Sequence, residues 1–373
     1  MSIHSHAATW CKAALCGAGL AAALVACGGG DDDDDPPVTV TPPVSTSSFV
    51  ATTLVADVAP ATNVDTNLVN AWGIAFNPTG FVWVANNGSS TSTLYDGNGV
   101  RQTLVVAIPP GPSGPSRPTG IVFNGSTDFK VTQNGISGGS AFIFASENGT
   151  ISGWSPAVNR TNAILAVDAG PTNALYKGLA IASFTGANYI YATDFRNGRV
   201  DVYDASYQKV TLPGGNFSDP NLPSGYAPFG IQAVGNRIYV TYAQRAATGT
   251  GHQAGAGLGL VNVFDPSGVF IGRLVTGGAL NAPWGLAVAP GTFGDASNSL
   301  LVANAGDGRI HAYNATSGAL IGALGRSGAP IVIDGLWGIA FGNGVQNQPA
   351  STLYFTAGPG GGTRGQYGRI DLQ

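Results

Sequence analysis

Short apolar runs, each beginning at a Gly-Ile or Gly-Leu step and closed by a polar residue, recur along most of the chain. The stretch from Asn70 to Asn86, N-A-W-G-I-A-F-N-P-T-G-F-V-W-V-A-N, shows the unit: an apolar run, a turn, a second apolar run and a polar end. Its Trp72-Gly73-Ile74 start returns as Thr119-Gly120-Ile121, Lys177-Gly178-Leu179, Phe229-Gly230-Ile231, Trp284-Gly285-Leu286 and Trp337-Gly338-Ile339. The glycines stand 47, 58, 52, 55 and 53 residues apart. Continuous apolar runs of this length read as strands covered on both faces. A period near fifty with several such strands in each unit is the signature of propeller blades.

In the first repeat the pattern predicts strands over 72–76, 81–85, 91–95 and 102–108, with a hairpin turn at Asp96-Gly97-Asn98-Gly99. Three strands are predicted in each of the next four: 120–123, 141–145 and 150–154; 179–183, 189–193 and 199–203; 230–234, 238–242 and 260–264; 285–289, 300–303 and 309–313. The sixth repeat has 338–341, 353–356 and 368–372 and then the chain stops, one strand short. The run 49–58 has no repeat of its own. Pairing it as the outer strand of the sixth repeat closes the ring and covers an exposed edge. The predicted fold is therefore all-β: a six-bladed β-propeller over 49–373, closed by an N-terminal strand that completes the last blade. A Gly- and Ala-rich insert at 246–259, between the second and third strands of blade four, is expected to be a mobile flap.

Composition adds an address. With 56 Gly and 23 Pro but only 10% charged residues, the chain has the turns that many tight hairpins need. Net charge is −4 without a basic cluster, which excludes nucleic acid as a partner. Residues 1–26 carry the short alanine-rich apolar run of an export signal, too short to span a membrane. This run ends in Leu24-Val25-Ala26-Cys27, which resembles a bacterial lipobox, so Cys27 is the expected lipidation site. Gly28 follows in place of an inner-membrane retention Asp. The expectation is an exported monomer attached through its lipid alone to the outer membrane. Residues 27–48, with five aspartates and a Pro/Thr/Ser tract, read as a disordered tether.

Several strings carry a family resemblance: N-A-W-G-I-A-F (70–76), T-G-I-V-F-N (119–124), Y-K-G-L-A-I-A (176–182), D-F-R-N-G-R-V-D-V (194–202), N-A-P-W-G-L-A (281–287), D-G-L-W-G-I-A-F-G-N-G (334–344) and L-Y-F-T-A-G-P (353–359). They resemble NHL-type six-bladed propellers, and more closely an uncharacterised family of secreted bacterial propellers. The resemblance covers about 49–373 and implies the fold without an activity.

Propeller ligands bind at the mouth of the central channel, among the links leading into inner strands and the turns joining second to third strands. The candidates for ligand binding are Asn70, Arg117, Lys177, Asn281 and Asp334 from the links, with Arg196 from a turn. The turn set Asn86, Glu147, Asp194 and Asn304 offers oxygen ligands that suit Ca²⁺, or else plain Asx turns; no other cofactor is expected. Only His252 and His311 follow the leader, in different repeats and without ligand spacing, which argues against a histidine-based zinc or iron site. Gly135-Ile136-Ser137-Gly138-Gly139 has the spacing of a nucleophile elbow, but no helical pattern follows, and it reads as a loop. Glu147 is the only glutamate, which rules out a paired-Glu acid/base site. Two functions fit: a recognition module binding a protein, peptide or glycan at the mouth, or a Ca²⁺-dependent hydrolase or lactonase resembling the six-bladed gluconolactonase group.

Overall fold

In the computed structural model, which describes residues 42–373, six antiparallel sheets follow one another in sequence order. Blade one is Ala71–Phe76, Val82–Asn86, Thr91–Tyr95 and Arg101–Ala107. Blade two is Pro118–Phe123, Phe142–Ser146, Thr150–Trp154 and Ile164–Asp168. Blade three is Tyr176–Phe184, Ala187–Asp194, Arg199–Tyr203 and Lys209–Val210, and blade four is Tyr226–Val234, Arg237–Gln244, Leu260–Phe264 and Phe270–Thr276. Blade five is Pro283–Val288, Leu300–Asn304, Ile310–Tyr313 and Leu320–Ala323. Blade six takes Leu336–Phe341, Leu353–Ala357 and Gln366–Leu372 from the carboxy-terminus, and Phe49–Ala56 supplies its outer strand.

That closure has a defined register. Phe49 pairs with Leu372 and Ala56 with Gln366, antiparallel, with a bulge between Thr53 and Val55. A further short strand, Asn63–Val64, runs parallel to Val55 and Ala56 and covers the new edge.

The six repeated glycines explain why the ring is so tight. A Cβ placed on Gly73, Gly120, Gly178, Gly230, Gly285 or Gly338 would meet the backbone of the next blade's inner strand at 3.0 Å or closer. Gly73 faces Thr119, Gly120 faces Leu179, Gly178 faces Phe229, Gly230 faces Trp284, Gly285 faces Trp337 and Gly338 faces Trp72, so the contacts run once round the axis and close. Buried threonines stitch the same seam. Thr193 Oγ1 donates to the Phe229 carbonyl (2.7 Å) and Thr356 Oγ1 to the Trp72 carbonyl (2.5 Å), the latter joining blade six to blade one. Outside the seam, cores form between neighbouring sheets; Trp83 of blade one, for instance, stacks on Phe142 of blade two at 4.0 Å.

Four features differ from the sequence reading. Outer strands complete blades two to five. Gly135–Gly139 is no loop: Ile136–Gly139 pairs with Lys130–Gln133 in a hairpin, so Ser137 sits in a strand and the elbow geometry is absent. The blade-four insert is fastened down by backbone bonds from Ala246 to Gly251 (2.8 Å), Gln253 to Gln244 (2.8 Å) and Gly257 to Leu280 (2.9 Å). Finally, the end of the 27–48 segment docks on blade five. Val44 bridges Ala323, and the Asp295 carboxylate accepts bonds from the Thr46 N–H (2.7 Å), the Thr46 hydroxyl (2.9 Å) and the Ser45 hydroxyl. The expected signal segment 1–26, the expected lipidation site Cys27 and the part of the expected tether up to 41 lie outside the described residues.

Candidate functional site

Two positions per blade surround the mouth where the inner strands begin, and Trp72, Glu147, Lys177 and Trp337 among them line its cavity. The residue before each waist glycine forms the floor: Trp72, Thr119, Lys177, Phe229, Trp284 and Trp337. The first residue past each second strand forms the wall: Asn87, Glu147, Phe195, Arg245, Ala305 and Gly358. The floor is largely aromatic. Trp72 and Trp337 stack at 3.6 Å, and Trp284 meets both edge-on at 6.0 and 5.9 Å. Phe195, Leu175, Phe229 and Ala305 pack into the same cluster.

Lys177 is the one cation in this layer, and its position requires a partner because a buried ammonium alone is costly. Its side chain is 6% exposed. It lies over the Trp72 ring at 5.0 Å and pairs with Glu147 Oε1 at 2.5 Å. Thus the only glutamate in the chain is committed to the only lysine at the mouth. A relay of amides supports the pair. The Trp72 indole donates to Asn70 Oδ1 (3.0 Å), Asn70 Nδ2 to Asn87 Oδ1 (3.0 Å), and Asn87 Nδ2 to Glu147 Oε2 (3.1 Å). Burial pushes the Glu147 carboxyl up, but the Lys177 charge, the Lys177 and Asn87 hydrogen bonds and nearby Arg117 outweigh it and hold it below its ordinary value.

Above the floor lies a cavity of about 590 Å³ lined by Arg117, Glu147, Lys177, Arg196, His252 and Trp337, among others. His252 comes from the insert. Its ring rests 5.2 Å from Phe229 and 5.8 Å from Trp337, and burial, helped by Lys177, pushes its pKa down to about 4. The far mouth, where the inner strands end, differs in character. About 400 Å³ there is lined by Ile74, Phe76, Phe123, Ile181, Phe341 and the polar Gln232, among others.

The predicted binding residues divide accordingly. Arg117, Lys177 and Arg196 line the polar cavity, and Asn70 supports it from behind. Asn281 does not line it; its Oδ1 accepts the Gly255 N–H (2.7 Å) and so fastens the insert. Asp334 stays on the exposed rim, accepting the Gly360 N–H at 2.9 Å.

Of the calcium set, only Glu147 reaches the mouth. Asn86 donates inside blade one to Thr91 (3.1 Å) and Thr93 (3.0 Å). Asp194 is fully buried and accepts from the Leu175 N–H (3.0 Å) and Asn197 Nδ2 (2.6 Å), while Arg199 lies 3.4 Å away. Asn304 donates to the Ala279 carbonyl at 2.8 Å. These residues end their second strands, one position before Glu147's place, and point into their own blades. They do not fit a shared calcium ion, and among the described residues no three His, Cys, Asp or Glu side chains cluster as metal ligands. The sequence assigned no role to His252, because no motif surrounds it.

No protein-family model matches the chain. An uncharacterised protein of Acanthamoeba polyphaga mimivirus is 33% identical over 287 residues, covering 75% of this chain and 70% of that protein. A second uncharacterised protein of the same virus is 31% identical over 303 residues, covering 80% and 78%. Among solved structures, the PQQ-bound aldose sugar dehydrogenase of Streptomyces coelicolor superposes with a TM-score of 0.51 at 16% identity, over 89% of this chain and all of that one, which is a likeness of fold alone. The relatives named here are viral, so they lend no support to the secreted bacterial family expected from the sequence.

Proposed function

The chain belongs to one family with these two uncharacterised mimivirus proteins, and from that membership and the geometry of the mouth we propose that it is a recognition module whose ligand enters the polar end of the channel. The observation that carries this reading is the contrast within one cavity. A rigid, apolar floor is held by six blades, while Arg117 and Arg196 stand exposed above it around the buried Lys177–Glu147 pair. Such a concave site with a few placed polar groups is the usual form of a small-ligand pocket. A calcium-assisted hydrolase has less to build on: Asp194, Asn86 and Asn304 are engaged within their blades, and Glu147 is engaged by Lys177.

A thermal-shift screen of glycans and peptides tests the proposal, since a ligand that binds only the folded state raises Tm by mass action. Ser113, exposed on the rim and lining the cavity, is the position to block. Ser113→Trp should leave the unliganded Tm unchanged and abolish the shift; a shift that survives in the variant places the ligand elsewhere and ends the reading.

An exported protein anchored at the outer membrane through Cys27 is part of the same proposal, and acts as a monomer. Its support is the Leu24-Val25-Ala26-Cys27 run and the acidic spacer after it. Labelled palmitate should enter the wild-type protein and not Cys27→Ala; equal labelling, or none in either, removes the anchor.

A further inference from the structure

Resting on that reading and naming its ligand class, we infer that the polar mouth takes a sugar acid, with the carboxylate held between Arg117 and Arg196 and the ring lying over the aromatic floor.

The charges lining the cavity are unequal in sign. The cavity is lined by the cations Arg117, Lys177 and Arg196 and by the single acid Glu147. Glu147 already neutralises Lys177. Neither Arg117 nor Arg196 forms an ion pair among the described residues, and Arg196 Nη1 donates to the Asn173 carbonyl at 3.4 Å. Arg245 of blade four extends the same side, donating to the Arg196 carbonyl at 2.8 Å. Among the acids outside the lining, Asp307 and Asp334 belong to blades five and six, while Asp168 of blade two accepts the Gly170 N–H at 2.9 Å beside Ser113. A chain of net charge −4 thus lines this one cavity with two arginines, Arg117 and Arg196, that carry no ion pair.

Planar guanidinium forks match a carboxylate with two parallel hydrogen bonds, which a lysine does not. A cationic ligand would find the only acid of the cavity taken. The rest of the lining suits a sugar. Leu175 and the indole edges of Trp72 and Trp337 offer apolar surface, and Ser113 and Thr250 hold exposed hydroxyls at the rim. The indole faces themselves are filled, Trp72 lying between Trp337 and Lys177, so the ring meets edges and does not stack. An acidic peptide would satisfy the arginines equally. The mouth, however, presents strand ends and not a strand edge to which a peptide could add.

Trigalacturonate, neutral galactotriose and hexaglutamate, titrated calorimetrically into the full chain at low and high salt, test the inference. Trigalacturonate should bind, more weakly as salt rises. Galactotriose and hexaglutamate should each bind at least about tenfold more weakly, and Arg117→Gln and Arg196→Gln should each weaken trigalacturonate by about tenfold, the scale of a lost charged hydrogen bond. Equal binding of galactotriose overturns the acid and leaves recognition at the mouth standing. Equal binding of hexaglutamate overturns the sugar. If none of the three binds while a screened ligand blocked by Ser113→Trp does, this inference alone falls; if no ligand is found by either route, both fall. Should a variant lose its melting transition, the salt dependence and the neutral probe on wild-type protein decide the matter.

Discussion

Replacing Gly230 by alanine isolates the contact that closes the ring. The backbone there lies outside the left-handed region, so the new methyl group brings no torsional strain of its own. It would overlap the Trp284 carbonyl of the next blade and stand 2.9 Å from Thr241 Oγ1. Neither neighbour has room to give. Thr241 Oγ1 accepts the Gly230 N–H at 2.8 Å, and Trp284 is held by its indole bond to the Lys177 carbonyl at 2.9 Å and by the edges of two other tryptophans. Overpacking of this kind costs about 1–3 kcal/mol, and an obstacle made of backbone in a closed ring belongs at the upper end. Stiffening the unfolded chain returns about 0.4–1 kcal/mol, leaving a net loss of roughly 2 kcal/mol. Gly272, on the outer strand of blade four, is the matched control: it too lies outside the left-handed region, and a Cβ there meets nothing within 4 Å. Gly272→Ala should therefore be neutral or stabilising by about 0.4–1 kcal/mol. Urea unfolding followed by tryptophan fluorescence should separate the two variants by about 3 kcal/mol. If Gly230→Ala unfolds within about 0.5 kcal/mol of Gly272→Ala, the glycines are not a steric requirement of closure and the reasoning fails.

Two further outcomes follow from the mouth. Lys177→Met strands the Glu147 carboxylate, whose side chain is 20% exposed; that access trims the usual cost of a broken buried pair to about 2–3 kcal/mol. Adding Glu147→Gln should restore most of it, and a double variant no more stable than the single contradicts the pairing. For His252, the folded value of about 4 lies below the ordinary 6.5, so the neutral ring is the docked form. Its stabilisation is complete above about 6.5 and is lost as pH falls through about 4. Amide exchange over 246–257 should then rise toward pH 4 relative to the blades and lose that dependence in His252→Phe; a transition centred near 6.5 counts against the buried ring.

Blade number and inner strands were legible because each repeat carries a glycine that sterics demand and runs buried on both faces, and closure because the sixth repeat lacks a strand that 49–58 supplies. The outer strands of blades two to five were not, because they are short or half-exposed and carry little apolar signal. Lys209–Val210 is two residues long, and Phe270–Thr276 buries only Val275. The hairpin at 130–139 did have a signal, Asn134-Gly135, both with positive φ as a two-residue turn of this kind needs. At the site, the error was one residue of register. Asn86, Asp194 and Asn304 are the last residues of their second strands, as Ser146 is, whereas Glu147 is the first residue beyond. In a strand a step of one reverses the face. Reading all four as equivalent therefore mixed three side chains that fill their own blades with one that faces the channel.

That register also shows how a repeated fold acquires a direction. The waist position admits only glycine, so all six blades agree there. The two ring positions above it carry no such demand and differ freely. Their polar members, Asn87, Thr119, Glu147, Lys177 and Arg245, all fall in blades one to four, while blades five and six contribute Trp284, Ala305, Trp337 and Gly358. Six blades of one topology thereby carry, in these two rings, a polar side and an apolar side. Because the polar side chains are bonded across blade boundaries, as Asn87 is to Glu147 and Glu147 to Lys177, no single blade could hold them in place. Ligand preference, on this argument, belongs to the assembled ring and should not survive in any excised repeat.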